Sequence, residues 1–320
     1  MKYAKIGGQA VIEGVMMRYG NDYAVTVRKP NGELEVKRGR YESLVSRLHL
    51  KHIPILRGVF AFIDSLVLGM STLTYSASFY EDEEEEKASR SGKDGGGVKD
   101  KLLMGLTVAL SIVIAIGLFM VLPFFISGLF KQVTDSSWVL GIIEGVVRVI
   151  LFMAYILLIS RMKDIQRVFM YHGAEHKSIN CIEHGAKLTP ENAMKYSRFH
   201  KRCGTSFLFI VIFLSIVFFI LFFQIFPVDN VVLKVVFRIL LVPVIAGAAY
   251  EIIQWAGKSE GKFADIISRP GMALQKLTTR EPDESMIEAA IASIEAIYDW
   301  RKFQEELKAK GSQDKAGEVQ

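Results

Sequence analysis

Cysteine is scarce in this chain, since only Cys181 and Cys203 among 320 residues carry a thiol. So few cysteines exclude a disulfide-stapled scaffold, and we expect free thiols or metal ligands. No basic cluster is interleaved with aromatic residues, so nothing predicts a nucleic-acid surface. The first residues include Lys2 and Lys5, but no continuous apolar segment follows them, so no secretory signal peptide is predicted.

Apolar residues, in contrast, make up 51% of the chain, and the mean hydropathy is +0.28. They are segregated from the charged residues into long runs, which is typical of a membrane protein. The runs that are long enough to cross a bilayer predict four transmembrane helices, at residues 102–130, 138–160, 206–226 and 231–255.

The connections between these helices differ sharply in charge. The long connection 161–205 carries nine Lys and Arg residues, whereas the short ones, 131–137 and 227–230, contain only Lys131. Because basic loops are retained in the cytoplasm, the asymmetry predicts that the long connection and both termini are cytoplasmic. The formal net charge of +5 is then a mark of orientation in the membrane.

The first 40 residues predict a small cytoplasmic cap rich in β structure. Two β-prone runs, 23–28 and 33–37, flank Pro30-Asn31-Gly32. An Asn-Gly pair between two such runs is a strong hairpin signal.

Residues 41–80 have two open interpretations. A short helix is followed by the apolar run 54–80, which is long enough to cross a membrane. Eleven Lys and Arg residues, from Lys2 to Arg57, precede or begin this run. The positive-inside tendency therefore favours helices that lie in the membrane plane or re-enter it, and a true span is the alternative.

Polar segments separate and end these regions. Residues 81–100 are acidic and then rich in Gly and Ser, which predicts a disordered linker. Near the C-terminus, a capping box at Ser285 and Glu288 and apolar residues at helical spacing predict a helix, followed by a disordered tail after about residue 305.

The predicted units are a β-rich cap (1–40), in-plane helices (41–80), a linker (81–100), two transmembrane helices (101–160), a cytoplasmic loop (161–205), two further transmembrane helices (206–255) and a cytoplasmic C-terminal helix and tail (256–320).

The cytoplasmic loop contains the pattern H-x-x-E-H at His172, Glu175 and His176. Two histidines four residues apart lie on one face of a helix, so both can reach one metal ion. A glutamate between them is in place to act on a metal-bound water, as in inverted zincins. After a helical turn the chain returns through His200-x-x-Cys203, so the loop predicts a helical hairpin with four candidate Zn²⁺ ligands.

Three interpretations of this loop remain open. Three protein ligands and one water would make a catalytic site, with Glu175 or Glu183 accepting a proton from that water. Four protein ligands, His172, His176, His200 and Cys203, would instead close a structural zinc site. In the third interpretation the histidines bind no metal and hydrogen-bond lipid headgroups or the backbone.

Charged residues also fall within the predicted membrane spans. Glu144 and Arg148 are four residues apart in the second span, and such a pair either locks the bundle or marks a functional site. Glu251 lies near the cytoplasmic end of the fourth span, at a separation from the H-x-x-E-H motif that resembles the third ligand of soluble inverted zincins.

Several stretches resemble the YqhQ-like family of bacterial multi-pass membrane proteins. They are residues 7–18, 57–69, 171–181, 200–207, 243–253 and 277–291, so the resemblance covers nearly the whole chain. The family is described as a domain of unknown function and as predicted metal-dependent enzymes, which implies an inner-membrane location but no substrate. Lys201 stands where the family often has a proline.

Further charged residues fall within or beside these family motifs. They predict either an additional cytoplasmic pocket near the metal loop or a set of salt bridges that dock the cap, and they are Glu13, Arg18, Arg57, Asp64, Glu183 and Glu251.

The sequence therefore predicts a mainly α-helical membrane protein with a four-helix transmembrane bundle and a cytoplasmic β-rich cap. The favoured function is that of a Zn²⁺-dependent hydrolase acting at the cytoplasmic face on a lipid-linked or membrane-peptide substrate. The alternatives are a non-catalytic scaffold or assembly factor with a structural metal, and a small transporter that uses Glu144, Arg148 and Glu251. The expected partners are the lipid bilayer and either a membrane protein or a second copy of the chain, with no nucleic acid.

Overall fold

The structure is a computed structural model, which describes residues 3–80, 98–228, 230–258 and 262–317. It is mainly helical, with one antiparallel sheet at the N-terminal end. Most of the linker predicted at 81–100 lies outside the described residues, but residues 98–100 already belong to a helix.

The sheet has four strands in the order β1-β2-β3-β4, each pairing with the next along the chain. The hairpin predicted at Asn31-Gly32 is confirmed, since β3 and β4 pair around it and Gly32 has a φ of +87°. The strands are β1 (Ile6–Val11), β2 (Gly14–Tyr19), β3 (Asp22–Arg28) and β4 (Leu34–Arg40).

The two faces of the sheet enter two different apolar cores. Ile6, Val15 and Met17 belong to the larger core, which also contains residues of α6 (Lys163–Glu183) and α11 (Glu284–Ile297). The opposite face packs Val11, Val25 and Val27 against Leu68 of α2 (Leu56–Ala77). Alternating residues of the strands thus bury both faces, which fixes their register.

Five helical segments are long and apolar enough to cross a membrane, and this fits a membrane protein. Four of them fall on the predicted spans, and the fifth is α2. The five segments are Leu56–Ala77, Gly105–Gln132, Ser137–Ile159, Gly204–Ile225 and Val231–Ala256.

The other helices connect these segments and complete the fold. A 3₁₀ turn at Leu50–His52, a π-helical turn at Gly117–Val121 and a 3₁₀ turn at Phe130–Gln132 interrupt or extend them. The helices are α1 (Leu44–Arg47), α3 (Val98–Ile116), α4 (Leu122–Leu129), α5 (Ser137–Ile159), α7 (Pro190–Ala193), α8 (Gly204–Ile225), α9 (Val231–Lys258), α10 (Lys262–Thr278) and α12 (Trp300–Gly317).

The long connection 161–205 differs from the predicted helical hairpin. Its first arm is the long helix α6, but the return arm contains only the single turn α7, and the rest is irregular. Helix α5 ends just before this connection, and side chains satisfy the carbonyl that follows it. Ser160 O accepts hydrogen bonds from Gln166 Nε2 (3.2 Å) and Arg280 Nη2 (3.1 Å). Side chains that satisfy terminal carbonyls allow the chain to turn before α6 begins.

Candidate metal centre

The centre is built on α6, where His172 and His176 lie one turn apart with ring centroids separated by 4.4 Å. The C-terminal half of α6 is buried between the sheet, α11 and the return arm, and the exposed fraction of His176 is 1%. Burial fixes the rotamer of His176, while His172 is only half-buried.

Cys203 brings a third donor to the same place. It is the N-cap residue of α8, and its Sγ lies 3.2 Å from His172 Nε2 and 3.4 Å from the Thr205 backbone nitrogen. One donor atom each from His172, His176 and Cys203 lie within 4.8 Å of one another. Among the described residues, these three form the one group of His, Cys, Asp or Glu side chains that is placed to hold a metal ion.

Backbone carbonyls orient both histidines. His172 Nδ1 lies 2.9 Å from the carbonyl oxygen of Thr278, and His176 Nδ1 lies 2.6 Å from that of Arg198. Since a carbonyl only accepts, each Nδ1 carries the proton and each Nε2 presents its lone pair. Metal-binding histidines are commonly held in this way by an outer partner.

The donor set fits Zn²⁺ or a similar transition metal. Two imidazole nitrogens and one cysteine thiolate are ligands that zinc prefers, and three such ligands leave one position of a tetrahedral shell. Burial also lowers the pKa of His176, which keeps its imidazole neutral and able to donate a lone pair.

Glu175 points from α6 toward strand β1. Burial raises the pKa of its carboxyl to about 7, against a smaller opposite effect from the Gly8 backbone N–H, which donates to it. Gly8 is required here, because a Cβ at that position would lie 2.9 Å from Glu175 Cδ and 2.7 Å from Met16 O. Gly8 also lines a cavity of about 330 Å³ between the sheet and α2.

His200 lies beside the three donors without joining their group. Its ring centroid is 5.7 Å from that of His176, and its Nε2 lies 3.3 Å from a carboxylate oxygen of Glu183. Glu183 also accepts from the Ala4 backbone nitrogen (2.9 Å) and from Arg202. The Glu183 carboxylate thus ties the N-terminal segment to the return arm.

The other predicted pocket residues are dispersed among separate contacts. Glu13 pairs with Arg167, and Glu251 accepts from Arg57 Nε at 2.7 Å. Arg18 donates to Gly20 O and lines the cavity next to Gly8.

Asp64 is buried within α2 and holds the segment that follows β4. Its carboxylate accepts hydrogen bonds from Tyr41 Oη, Ser43 Oγ and the Leu44 nitrogen, at 3.0, 2.6 and 3.0 Å. These groups dock the sheet on α2, and Asp64 does not share a contact with the metal donors.

Glu144 and Arg148 form the predicted pair inside the helical bundle, with Nη2 and Oε1 2.7 Å apart. A third residue joins them, since Arg238 Nη2 lies 2.6 Å from Glu144 Oε2. The Arg238 side chain is itself buried, so all three charged groups lie inside the bundle.

Sequence reasoning also missed the groups that orient the centre. Thr278 and Arg198 act through backbone carbonyls, for which no residue type is a signal. Gly173 is different, because a Cβ there would lie 2.1 Å from the Arg280 carbonyl oxygen, and a glycine inside a motif does indicate close approach of another segment.

Comparisons with known proteins identify the family of this chain. A family model described as "Protein of unknown function (DUF1385)" matches residues 53–300. The chain is also 32% identical over 294 residues to "Uncharacterized protein YqhQ" of Bacillus subtilis (strain 168), which covers 91% of each chain. No solved structure matches the chain. The sequence resemblance is thus confirmed, and the protein belongs to the YqhQ-like family of proteins of unknown function.

Proposed function

We propose that this protein is a Zn²⁺-dependent hydrolase that works at one face of a bacterial inner membrane. The observation that carries the proposal is the convergence of His172, His176 and Cys203, whose donor atoms lie within 4.8 Å of one another. Three protein ligands with one remaining position are typical of catalytic zinc, whereas structural zinc has four.

Each residue of the centre has a defined task in this proposal. A bound Zn²⁺ would supply Lewis acidity toward water and toward the bond to be cleaved. His172 and His176 would hold the metal in one orientation, since the carbonyls of Thr278 and Arg198 fix their rings. Glu175, one residue before a ligand and buried under β1, would accept and return a proton.

The proposed orientation places the metal centre, the sheet and both termini in the cytoplasm. The charge asymmetry between the long connection and the short ones supports this placement. Contacts of α2 support a position in the membrane plane, because its middle and end pack on the sheet while Arg57 near its start pairs with Glu251 of α9. One face of α2 thus packs on the sheet, while Leu66, Val67 and Met70 stay exposed on the rest of the helix, as in a helix that lies in the interface plane.

The substrate class follows from the position of the centre. Cys203 caps a candidate membrane helix, so the donors lie at the level where that helix would leave the bilayer. A lipid-linked molecule or a membrane peptide would reach this site by lateral diffusion, without a large aqueous cleft.

A structural zinc site is the second candidate, and burial favours it. The exposed fraction of Cys203 is 7%, and His200 lies close enough to His176 to become a fourth ligand after a side-chain rotation. The protein would then be a scaffold whose metal holds the return arm on α6.

One experiment separates the two candidates. Zinc content and X-ray absorption at the zinc edge are measured on detergent-purified protein, in the wild type and in His176→Ala, Cys203→Ala and His200→Ala. An open site loses zinc in the first two variants and keeps both zinc and its coordination in His200→Ala. A closed site changes its coordination in His200→Ala as well.

The control is His184→Ala, which removes an exposed histidine from the end of the same helix. It should retain wild-type zinc. A wild type that binds no zinc in metal-preserving buffers would remove the basis of both candidates. The hydrolase is tested with Glu175→Gln, which should retain zinc. The wild type and this variant are incubated with cell-membrane extracts, and mass spectrometry should detect hydrolysis products with the wild type and none with Glu175→Gln.

A further inference from the structure

A second polar site lies at the opposite end of the helical bundle, and it goes beyond the proposed hydrolase. A cavity of about 360 Å³ opens where α4, α5, α8 and α9 meet, near the two short connections. Helix α8 runs from Cys203 to this cavity, which it lines at Phe219 and Phe223. Twenty helical residues span about 30 Å, so the cavity is almost a bilayer thickness from the metal centre.

The floor of this cavity is a buried ion cluster with surplus positive charge. Both oxygens of Glu144 are engaged, one by Arg148 Nη2 (2.7 Å) and the other by Arg238 Nη2 (2.6 Å). Arg148 is satisfied further, because its Nε donates to Phe119 O at 2.9 Å. One carboxylate thus faces two buried guanidiniums, which is costly in a low-dielectric interior.

Arg238 is the member of the cluster with unused donors. Its exposed fraction is 3%, and its Nε and Nη1 have no hydrogen-bond partner among the described residues. Phe124, Phe219 and Phe223 surround the guanidinium with centroids 4.7 to 5.5 Å away. These rings stabilise the cation through its faces, but they accept no hydrogen bond from the in-plane N–H groups.

The rim of the cavity adds to the positive charge. Counted over the floor and the rim together, four basic and two acidic side chains line the cavity. They are Lys131, Arg148, Lys234, Arg238, Asp135 and Glu144. The surplus of two positive charges falls only to one if Asp229, a sequence neighbour outside the described residues, is counted. A cavity with this surplus and an under-used arginine fork favours an oxyanion.

We propose that this cavity binds a phosphate group, which is either the phosphodiester headgroup of a lipid or free inorganic phosphate. A planar guanidinium matches the oxygens of phosphate, and phosphate supplies the acceptors that Arg238 lacks. Both sources share this chemistry. The phenylalanine walls fit the upper part of a lipid chain, and the opening between the short connections also admits a small ion.

The test measures the thermal unfolding midpoint of the full-length protein in a neutral detergent. Three probes are titrated at constant ionic strength, namely dioctanoyl phosphatidylglycerol, inorganic phosphate and dioctanoylglycerol, which has the same chains and no phosphate. A ligand that binds only the folded protein raises the midpoint in a saturable way. We expect one of the two phosphate probes to do so and dioctanoylglycerol to have no effect.

Variants assign the effect to the cavity. Arg238→Gln should weaken the apparent affinity at least tenfold, and Lys131→Gln on the rim should weaken it severalfold. Lys302→Gln, an exposed change in α12 far from the bundle, serves as the control and should bind as the wild type does. If Arg238→Gln does not fold, Arg238→Lys and Lys131→Gln carry the test with the same expected direction.

The outcomes are distinct. A shift with phosphatidylglycerol alone identifies a lipid headgroup, and a shift with inorganic phosphate identifies the free ion. The proposal is overturned if neither phosphate probe stabilises the wild type, if dioctanoylglycerol is equally effective, or if the cavity variants bind as tightly as the control.

Discussion

Gly173 is the position at which a single methyl group should disturb the metal centre most selectively. It lies between His172 and Glu175 on α6, where the segment after α10 crosses the helix. The Arg280 nitrogen donates to Phe169 O of α6 at 2.8 Å, which holds this crossing segment against the helix. A Cβ at Gly173 would lie 2.1 Å from the Arg280 carbonyl oxygen, a backbone atom that cannot rotate away.

The structure gives the size of the disturbance in Gly173→Ala. Relief of the clash requires the segment to move by about 1 Å, because nonbonded heavy atoms approach no closer than roughly 3.2 Å. The Thr278 oxygen, two residues before Arg280, is 2.9 Å from His172 Nδ1. The same movement would stretch this contact to about 3.9 Å, beyond hydrogen-bonding distance.

Two consequences are expected in Gly173→Ala. Overpacking of this kind costs about 1–3 kcal/mol of folding free energy. Loss of the outer partner of a histidine ligand weakens metal binding by about 10- to 100-fold. Zinc affinity is measured by competition with a chromophoric chelator, and stability by thermal unfolding in detergent.

Gly105→Ala is the matched control for this prediction. Gly105 is also within a helix, but a Cβ there meets no atom within 4 Å. Alanine is the better helix former, so this variant should be unchanged or more stable by up to about 1 kcal/mol. A folded Gly173→Ala protein with wild-type zinc affinity would refute the idea that the Thr278 carbonyl orients His172.

Three further predictions concern stability and reactivity away from the metal. Asp64→Ala leaves three donors without their acceptor and should cost about 3 kcal/mol of folding free energy, whereas a change below about 1 kcal/mol in thermal unfolding would contradict this role. Ser293→Ala removes the buried bonds to Val15 O (2.8 Å) and Thr26 Oγ1 (2.7 Å), and the expected loss is about 1–2 kcal/mol, compared with no loss at an exposed serine such as Ser65. Burial raises the pKa of the Cys181 thiol to about 11 and leaves the side chain 0% exposed, so only about 0.1% is thiolate at pH 8, and iodoacetamide should modify it at least roughly tenfold more slowly in the folded protein than in denaturant at that pH. Peptide mass spectrometry after iodoacetamide treatment measures both rates, and equal rates would contradict the prediction.

Local patterns in the sequence were sufficient for much of the fold. The Asn31-Gly32 turn, the alternation in the strands and the apolar runs each predict an element that the structure contains. The C-terminal helix was also expected, although Asp283 rather than Ser285 is its N-cap, with its carboxylate accepting from the Met286 nitrogen at 3.0 Å. Such features are set by neighbours within a few residues.

Elements that depend on distant contacts were not predictable in the same way. Helix α12 (Trp300–Gly317) extends into the tail that was predicted to be disordered after about residue 305, and Trp300 and Phe303 enter the larger core and anchor its first turn. The end of α5 at Ile159 agrees with the predicted span 138–160, but the hydrogen bond that Arg280, more than a hundred residues later, donates to the Ser160 carbonyl was not predictable. Polar sequence alone does not reveal contacts of this kind.

In the candidate centre too, the sequence predicts one part and not the other. Residue type and spacing pointed to His172, His176 and Cys203, because few side chains bind transition metals and two of these share a helix face. Their orientation comes from carbonyl oxygens, and Thr278 and Arg198 carry no side-chain signature for that role. Sequence reasoning therefore identified the donors and not the geometry that would tune them.

Hydrogen-bond satisfaction separates the charged residues that hold this fold from those that remain available for a ligand. Glu13, Glu183 and Glu251 each pair with an arginine from another part of the chain, and such pairs fix one element on another. The metal donors are two imidazoles and one cysteine sulfur, and His172 Nε2 lies 3.2 Å from Cys203 Sγ. Arg238, at the other end of the bundle, keeps two buried donors without an acceptor. Since a buried polar group without a partner is costly, a fold tolerates it where a ligand supplies what the protein does not. That argument selects the basic cavity, and the convergence of three transition-metal donors selects the metal centre, as the two places at which to look for function. The glutamates that pair with arginines belong to the architecture between them.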